Sequence, residues 1–418
     1  LNSDNKKHGA SAPSASRGGI AEVFLTFLRL GCISFGGPVA HLGYFREELV
    51  HKRKWVTDEE YADLVALCQF LPGPASSQVG FALGKKRAGT VGAFAAWIGF
   101  TLPSAVLMIA FAFGLGAMGD ISGSGWITGL KLAAVAVVAN AVWGMGLKLC
   151  PDRFRITLAL ATAAFLLTIG NPLFQVLVIL VGALCGWLRY RDKPSPEETS
   201  FPPTASRVRD SKTFGALCFG VFVILLLSFP LAERISPENG SLALIAGFYQ
   251  AGSLVFGGGH VVLPLLESVT VAQGYLSQDA FLAGYGAAQA LPGPLFAFTA
   301  FLGALSNTGP GGITGGSLGL LAVYLPSWLL VLGVLPFWER LRTASSVQAA
   351  LAGANAAVVG LLLAALYNPI WTASITDSGH AAFALTAFLL LKFWHCPPWL
   401  LAFACAAAGG VCFGMSGP

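Results

Sequence analysis

Charge is the scarcest property of this chain. Asp, Glu, Lys and Arg make up 11% of its 418 residues, against 55% hydrophobic. A soluble domain of that size has nowhere to hide so much apolar surface, so the composition excludes one and points to a polytopic membrane protein. Further absences narrow the chemistry. There is no P-loop, no HExxH and no catalytic-triad spacing, which argues against the common enzyme signatures. The apolar segments carry no acidic cluster, and no pair among the eight cysteines has metal-ligand spacing. The thiols read as small apolar packing residues, and no metal or cofactor is expected. The net charge of +5 is small and split into short clusters, so no nucleic-acid face is expected. The Ser/Gly/Ala-rich stretch 1–19 is too polar for a signal peptide and lacks a cleavage pattern; it is expected to be a disordered cytoplasmic tail.

What the chain does have, it has twice. Residues 27–38 read FLRLGCISFGGP and 248–259 read FYQAGSLVFGGG. Residues 64–74 read LVALCQFLPGP and 284–294 read GYGAAQALPGP, and TLPS at 101–104 returns as YLPS at 324–327. The order is kept at an offset of about 220 residues, so most of the chain is a duplication. The repeated words are glycine and proline breaks inside apolar runs. Proline lacks an N–H and clashes with the preceding turn, so a Pro-Gly-Pro word ends one helix and can start another. Duplicated broken helices in a membrane protein point to a transporter whose site lies between the repeats.

Basic residues set the topology. Clusters fall in the tail, at 46–54, 85–87, 148–155 and 189–212, at Arg340 and Arg342, and at Lys392. The apolar runs 20–45 and 61–84 each lie between two basic clusters. They keep all clusters inside only if each is a re-entrant hairpin, broken at Gly36-Gly37-Pro38 and at Pro72-Gly73-Pro74. The second hairpin's arms have about 11 residues, or ~16 Å of helix, about half the hydrocarbon core. Spans at 91–118, 126–149, 156–169 and 173–188 then return the chain to the cytoplasm, and a single span at 214–231 carries it out. The second half therefore starts upside down. Its loops at 267–279 and 306–316 hold no Lys or Arg, as outside loops should. The expected fold is an all-α polytopic membrane protein of two inverted-topology repeats. Each has two re-entrant hairpins and about four spanning helices. The units are the tail, a first repeat at 20–190, a linker and topology-inverting helix at 191–240, and a second repeat at 241–418. The N-terminus is expected in the cytoplasm and the C-terminus in the periplasm.

A helix N-terminus inside the membrane presents unpaired N–H groups and a partial positive charge, which suits an anion. Pro38 and Pro74 suit the first turn of each second arm, with Pro294 as the partner of Pro74. Ser76, Ser77 and Gln78 follow Pro74, whereas Leu295, Phe296, Ala297 and Phe298 follow Pro294, so substrate is expected nearer the first half. The candidate substrate residues are Arg29, Gly36, Gly37, His41, Gln69, Gly73, Ser76 and Ser77, with Gln250, Gly257, Gly258, His260, Gln289 and Gly293 from the second half. Arg29 holds an oxyanion, with Glu22 or another carboxylate as counter-ion, or else snorkels or pairs structurally. Glu22, Glu47 and Glu267 are the proton-coupling candidates, Glu267 foremost because no base accompanies it. Lys131 is expected to snorkel, and the repeat partners Asn140 and Asn355 to hold helices together by hydrogen bonds or line the cavity.

These words resemble the bacterial chromate transporter family. The resemblance rests on FGGPVAH at 35–41, QFLPGP at 69–74, FGGGHVVLPLL at 256–266 and QALPGP at 289–294. It covers nearly the whole chain beyond the tail, in the long two-domain form. It implies an inner-membrane protein that exports chromate, drawing on the proton gradient, and confers chromate resistance. Chromate is a tetrahedral dianion close to sulfate in shape, and near neutral pH it coexists with its singly protonated form. A sulfate or general oxyanion carrier would use the same chemistry, and a channel or a homodimer is left open. A membrane phosphatase acting on isoprenyl pyrophosphate also uses inverted hairpins, but needs acids and a Ser/Arg pair that PGPASSQ lacks.

Overall fold

The computed structural model describes residues 19–119, 123–169, 173–191, 211–256, 258–341 and 343–414. The tail to residue 18, the stretch 192–210, Gly257 and Arg342 lie outside the described residues. All regular structure among the described residues is helical. The first half comprises α1 (Ile20–Ile33), α2 (Gly37–Phe45), α3 (Asp58–Phe70), α4 (Ala75–Ala117), α5 (Gly125–Leu149), α6 (Arg153–Ile169) and α7 (Leu173–Tyr190). After α8 (Lys212–Ile235) come α9 (Gly240–Ser253), α10 (Val262–Thr270), α11 (Gln278–Ala290), α12 (Phe298–Leu305) and α13 (Gly312–Val334). The chain ends with α14 (Trp338–Leu341), α15 (Ser345–Ala365), α16 (Thr372–Ser374), α17 (Ser378–Lys392) and α18 (Pro398–Phe413). Among the described residues, five stretches are long and apolar enough to cross a membrane: Ala75–Ala117, Gly125–Leu149, Lys212–Ile235, Gly312–Phe337 and Ser345–Ser374.

Local chemistry sets the boundaries. Helix α1 stops before Gly36, which takes a left-handed φ of +98°, and Pro38 sits in the first turn of α2. Helix α3 opens on a capping box, in which the Thr57 hydroxyl accepts from Glu60 N–H and the Glu60 carboxylate from Thr57 N–H. It ends before the Pro72-Gly73-Pro74 word, and Pro74 caps α4 from outside its first turn. The second half departs from this, with a 3₁₀ turn at Gly259–Val261 before α10 begins. Pro294 precedes a single 3₁₀ turn, Leu295–Ala297, before α12 begins.

Helix α4 is two limbs. Ala88 and Gly89 leave helical geometry, and the chain folds back so that Gly84 faces Gly92. A Cβ on either glycine would strike the other's carbonyl oxygen, so the limbs touch backbone to backbone. In the second half α12 turns back into α13 with Gly303 against Gly315 in the same way. The two halves also exchange helices. Helices α6 and α7 pack on α15, while α17 and α18 pack on α5. Small residues make both seams: Gly182 and Gly186 lie against Gly353, and Gly125 and Gly129 against Gly409 and Cys405.

That packing corrects two expectations. Asn140 and Asn355 are half-buried on α5 and α15, and neither side chain hydrogen-bonds another helix among the described residues; close backbone approach supplies the cohesion instead. Lys131 does not snorkel. Its Nζ lies 2.6 Å from Asp279 Oδ1 on α11, with 13% of the Lys131 side chain exposed. The pair ties the first half to the second. Lys131→Met is expected to lower the thermal midpoint in detergent, by less than the ~3–5 kcal/mol of a fully buried pair because Asp279 keeps solvent access. Adding Asp279→Leu should recover part of the loss, since no carboxylate is then left alone. A double variant less stable than Lys131→Met would contradict the pairing.

Candidate functional site

The four breaks meet. Gly73 N–H donates to Val255 O at 2.7 Å, and Gly293 N–H donates to Ser34 O at 2.9 Å. Each proline-glycine break is thus satisfied by the glycine-rich break of the opposite half. Gly73 and Gly293 are repeat partners, as are Ser34 and Val255, so the contact is reciprocal. Both glycines need their lack of a side chain. Gly73 has φ +123°, and a Cβ there would collide with Ser327 Oγ and Gln78 Nε2. Gly293 has φ +96° and faces Ser104 Oγ. These serines end the words YLPS and TLPS, so each half's LPS word seats the other half's LPGP word.

Beside Gly73 the junction holds a narrow crevice, closed to a water molecule in this conformation, lined by Ser77, Gln78, Phe81, Trp97, Tyr324, Ser327 and Trp328. Successive residues on a helix point about 100° apart, which divides the start of α4 between three partners. Ser76 Oγ turns to His41 Nδ1 at 3.2 Å. Ser77 Oγ turns across the repeat boundary to Tyr324 OH at 3.4 Å. Gln78 Nε2 folds back to donate to Pro72 O at 2.7 Å. The second limb of α4 supplies Trp97, and α13 supplies Tyr324, Ser327 and Trp328, held by ring contacts: Trp97 to Trp328 at 4.5 Å and to Tyr324 at 5.5 Å. Trp97 Nε1, Trp328 Nε1, Ser327 Oγ and Gln78 Oε1 are buried and have no hydrogen-bond partner among the described residues. Buried polar atoms are ordinarily paired, and such a concentration needs a reason. No Asp, Glu, His, Lys or Arg lines the crevice. The donors are two indole N–H groups and three hydroxyls, next to the first N–H groups of α4. Donors of this kind bind a compact anion by hydrogen bonds without a counter-charge once the crevice has room for one.

In the second half aromatic rings replace the residues after the break. Phe296 packs on Tyr324 at 5.9 Å and Phe298 on Tyr285 at 5.9 Å, both fully buried. His260 Nδ1 lies 2.7 Å from Tyr285 OH. The duplication is therefore asymmetric in chemistry.

The remaining candidates scatter. Arg29 is set apart: its side chain is 66% exposed, its partner is Glu48 at 4.0 Å, and it is not among the crevice residues. Glu22 is not its counter-ion, for it pairs with Arg87 at 3.1 Å and Arg53 at 3.8 Å. Glu47 is exposed and paired with Lys52 at 3.4 Å. Gln69, Gly36 and Gly258 are exposed, while Gly37, Gln250, Gln289 and Glu267 are half-buried outside the crevice lining. Gly257 lies outside the described residues. Only Ser77 lines the crevice among the named candidates, with Gly73 packed beneath it and Ser76 and His41 one position round α4. Sequence reasoning missed Trp97, Tyr324, Ser327 and Trp328. A signal was present in the repeat alignment, where Trp97 and Trp328 correspond to Leu320 and Ala105.

Comparison with known proteins now bears on the site. A family model described as Chromate transporter matches residues 21–187 and 242–410. The chain belongs to the chromate transporter family. The chromate transporter family consists of membrane transporters, not enzymes, which removes the phosphatase alternative. A chromate transport protein of Pseudomonas aeruginosa is 29% identical over 348 residues, covering 82% of this chain and 79% of that protein. Another from Cupriavidus metallidurans is 26% identical over 382 residues, 90% and 88% of the two chains. An uncharacterized transporter of Methanocaldococcus jannaschii is 26% identical over 365 residues, 87% and 86%. No solved structure matches the chain.

Proposed function

We propose that this chromate transporter family member exports chromate across the bacterial inner membrane, coupled to the proton gradient, and thereby confers chromate resistance. One observation carries the reading: the enclosed cluster of neutral donors where the first half's Pro-Gly-Pro break meets α13. Chromate offers four oxygens in a tetrahedron, and Ser77, Tyr324, Ser327, Trp97 and Trp328 meet beside the break, where the crevice widens to admit the anion during the transport cycle. Charge-assisted hydrogen bonds from neutral donors to an oxyanion are about twice as strong as neutral ones. His41, buried beside Ser76, and Glu267 are the groups we assign to proton coupling.

The reciprocal break pairing supports a two-fold relation between the halves. Together with the base-free loops of the second half, it supports an axis in the membrane plane and hence inverted repeats with re-entrant hairpins. Alternating access then comes from rocking one half against the other about the junction, which exposes the crevice to each side in turn. The same neutral donors suit sulfate, so a general oxyanion carrier is the second reading.

The test is chromate uptake into inside-out proteoliposomes with and without an imposed pH gradient. Gradient-driven uptake is expected, falling about 10- to 100-fold in Ser77→Ala through loss of one hydrogen bond to a charged ligand. Arg29→Ala should stay within about twofold of wild type, as its exposed ion pair contributes little. Uptake indifferent to the gradient would remove the coupling. Full transport by Ser77→Ala, or none by Arg29→Ala, would move the site elsewhere.

A further inference from the structure

Helix α13 runs from one face of the molecule to the other, and the contacts that keep the crevice shut are arranged along it. Its apolar stretch Gly312–Phe337 has 26 residues, or about 39 Å of helix. At its start Gly312 faces the Phe113 ring near the end of α4. Asn307, just ahead of it, donates to Gly274 O and Tyr275 O in the loop that leads to α11. At its end Pro336 and Phe337 pack on Gly215 near the start of α8. Tyr324, Ser327 and Trp328 stand about half-way along, and in this conformation the crevice they line has no room for a water molecule. A polar tie between the halves sits at each end of α13. At the Gly312 end, Lys131 Nζ of α5 meets Asp279 Oδ1 of α11 at 2.6 Å. At the other end, Trp338 Nε1 donates to Asp63 Oδ1 of α3 at 2.9 Å, and the Trp338 ring lies against Phe70 at 5.3 Å.

The two ties are built from corresponding parts. Helices α3 and α11 are the arms that run into the two LPGP breaks, and each is fastened to the opposite half: α3 to α14, and α11 to α5. Rocking one half against the other opens the crevice toward a face only if the tie at that face lets go. Both ties are suited to holding and to releasing. Each places a carboxylate in a charge-assisted hydrogen bond, which is stronger than a neutral one. Neither carboxylate is sealed from water, since Asp279 is 35% exposed and Asp63 half-buried. Water therefore takes over the bond as the halves part, and no charge is stranded in a dry interior, which is what makes a fully buried pair so costly to break. We propose that Asp63–Trp338 and Lys131–Asp279 are the two gate latches of the transport cycle, one for each face. The shut crevice between them is then the occluded intermediate. This rests on the rocking motion proposed above and not on which anion is carried. Releasing one latch shifts the population toward the state open at that face and leaves the other face closed.

A thiol placed in the crevice reports which face is open. Ser327→Cys is introduced into the full chain with its eight native cysteines replaced by serine or alanine. Its reaction with a membrane-impermeant maleimide is timed in right-side-out and in inside-out vesicles. With both latches intact, labelling is expected to be slow in both. Trp338→Phe keeps a ring against Phe70 and removes the donor. It should speed labelling about 10- to 100-fold in one vesicle orientation only, as expected for loss of one hydrogen bond to a charged group. Lys131→Met should do the same in the opposite orientation only, whichever face is cytoplasmic. Exchanging the charges, Lys131→Asp with Asp279→Lys, should restore slow labelling. Asp63→Leu and Asp279→Leu release the same latches from the other partner and serve where either first variant fails to fold. A pair that is merely structural would loosen the molecule without regard to face. Labelling sped in the same orientation by both releases, in both orientations by either, or in neither by folded protein, would overturn the inference. So would fast labelling of the parent chain with its latches intact. The measurement needs neither chromate nor a pH gradient, so it fails independently of the flux test. A chain that carries no chromate can show both latches, and a chromate exporter can lack them.

Discussion

Gly73→Ala is expected to abolish transport and to lower the thermal midpoint more than other single glycine substitutions outside the helices. Two costs coincide at this position. A φ of +123° lies in a region that residues with a side chain rarely adopt, at a cost of about 1–3 kcal/mol. The new methyl would also meet Ser327 Oγ and Gln78 Nε2, and overpacking a closed junction adds about 1–3 kcal/mol. The displacement falls on two crevice groups and on the Gly73–Val255 hydrogen bond, so function should fail even in molecules that remain folded. Gly274→Ala is the control, since it has φ +74° and open space around it; only the backbone cost applies there. Thermal unfolding in detergent and chromate flux, measured on both variants, decide the matter. If Gly73→Ala behaves like Gly274→Ala, the breaks do not pack as tightly as the reciprocal hydrogen bonds require.

The backbone of this site was legible in the sequence because its determinants are backbone determinants. Glycine and proline act through φ and a missing N–H, and those constraints do not depend on what lies across the fold. The breaks at 36–38, 72–74 and 292–294 were found for that reason, and the helix ends fall where the Gly/Pro words stand. The side chains of the site were less legible. Trp97 meets Tyr324 and Trp328 only because α4 folds back at Ala88 and Gly89, and no local pattern announces that reversal. Arg29 is a different kind of miss, since the periodicity held the answer. Val23, Phe27 and Leu30 are buried at helical spacing, which puts Arg29 and Leu25 on the outer face of α1. Reading a charge by its depth in an apolar run, without its helical face, led to the wrong partner. Lys131 needed knowledge of α11, a distant element, and the single-segment view had only snorkelling to offer.

Trp97→Phe should separate function from stability. The phenyl ring keeps much of the contact with Trp328 and Tyr324, at 4.5 and 5.5 Å between ring centres, and removes only the indole N–H and part of the ring. That N–H is buried without a partner among the described residues. Its loss relieves a desolvation cost of about 1–3 kcal/mol in the unliganded molecule, offset by a smaller loss of packing, so the thermal midpoint should stay put or rise. Transport should fall about 10- to 100-fold, because a donor aimed at the anion has gone. Opposite signs for stability and activity are the mark of a group retained for its ligand. Trp328→Phe should repeat the pattern, and the double variant should lose less than the product of the two, since both donors serve one anion and neither acts alone. Trp143→Phe, at an exposed position, should change neither quantity. A Trp97→Phe protein that loses stability in step with activity would mean that the indole is a packing element. The crevice would then be a seam between the halves, and the anion would cross by another path.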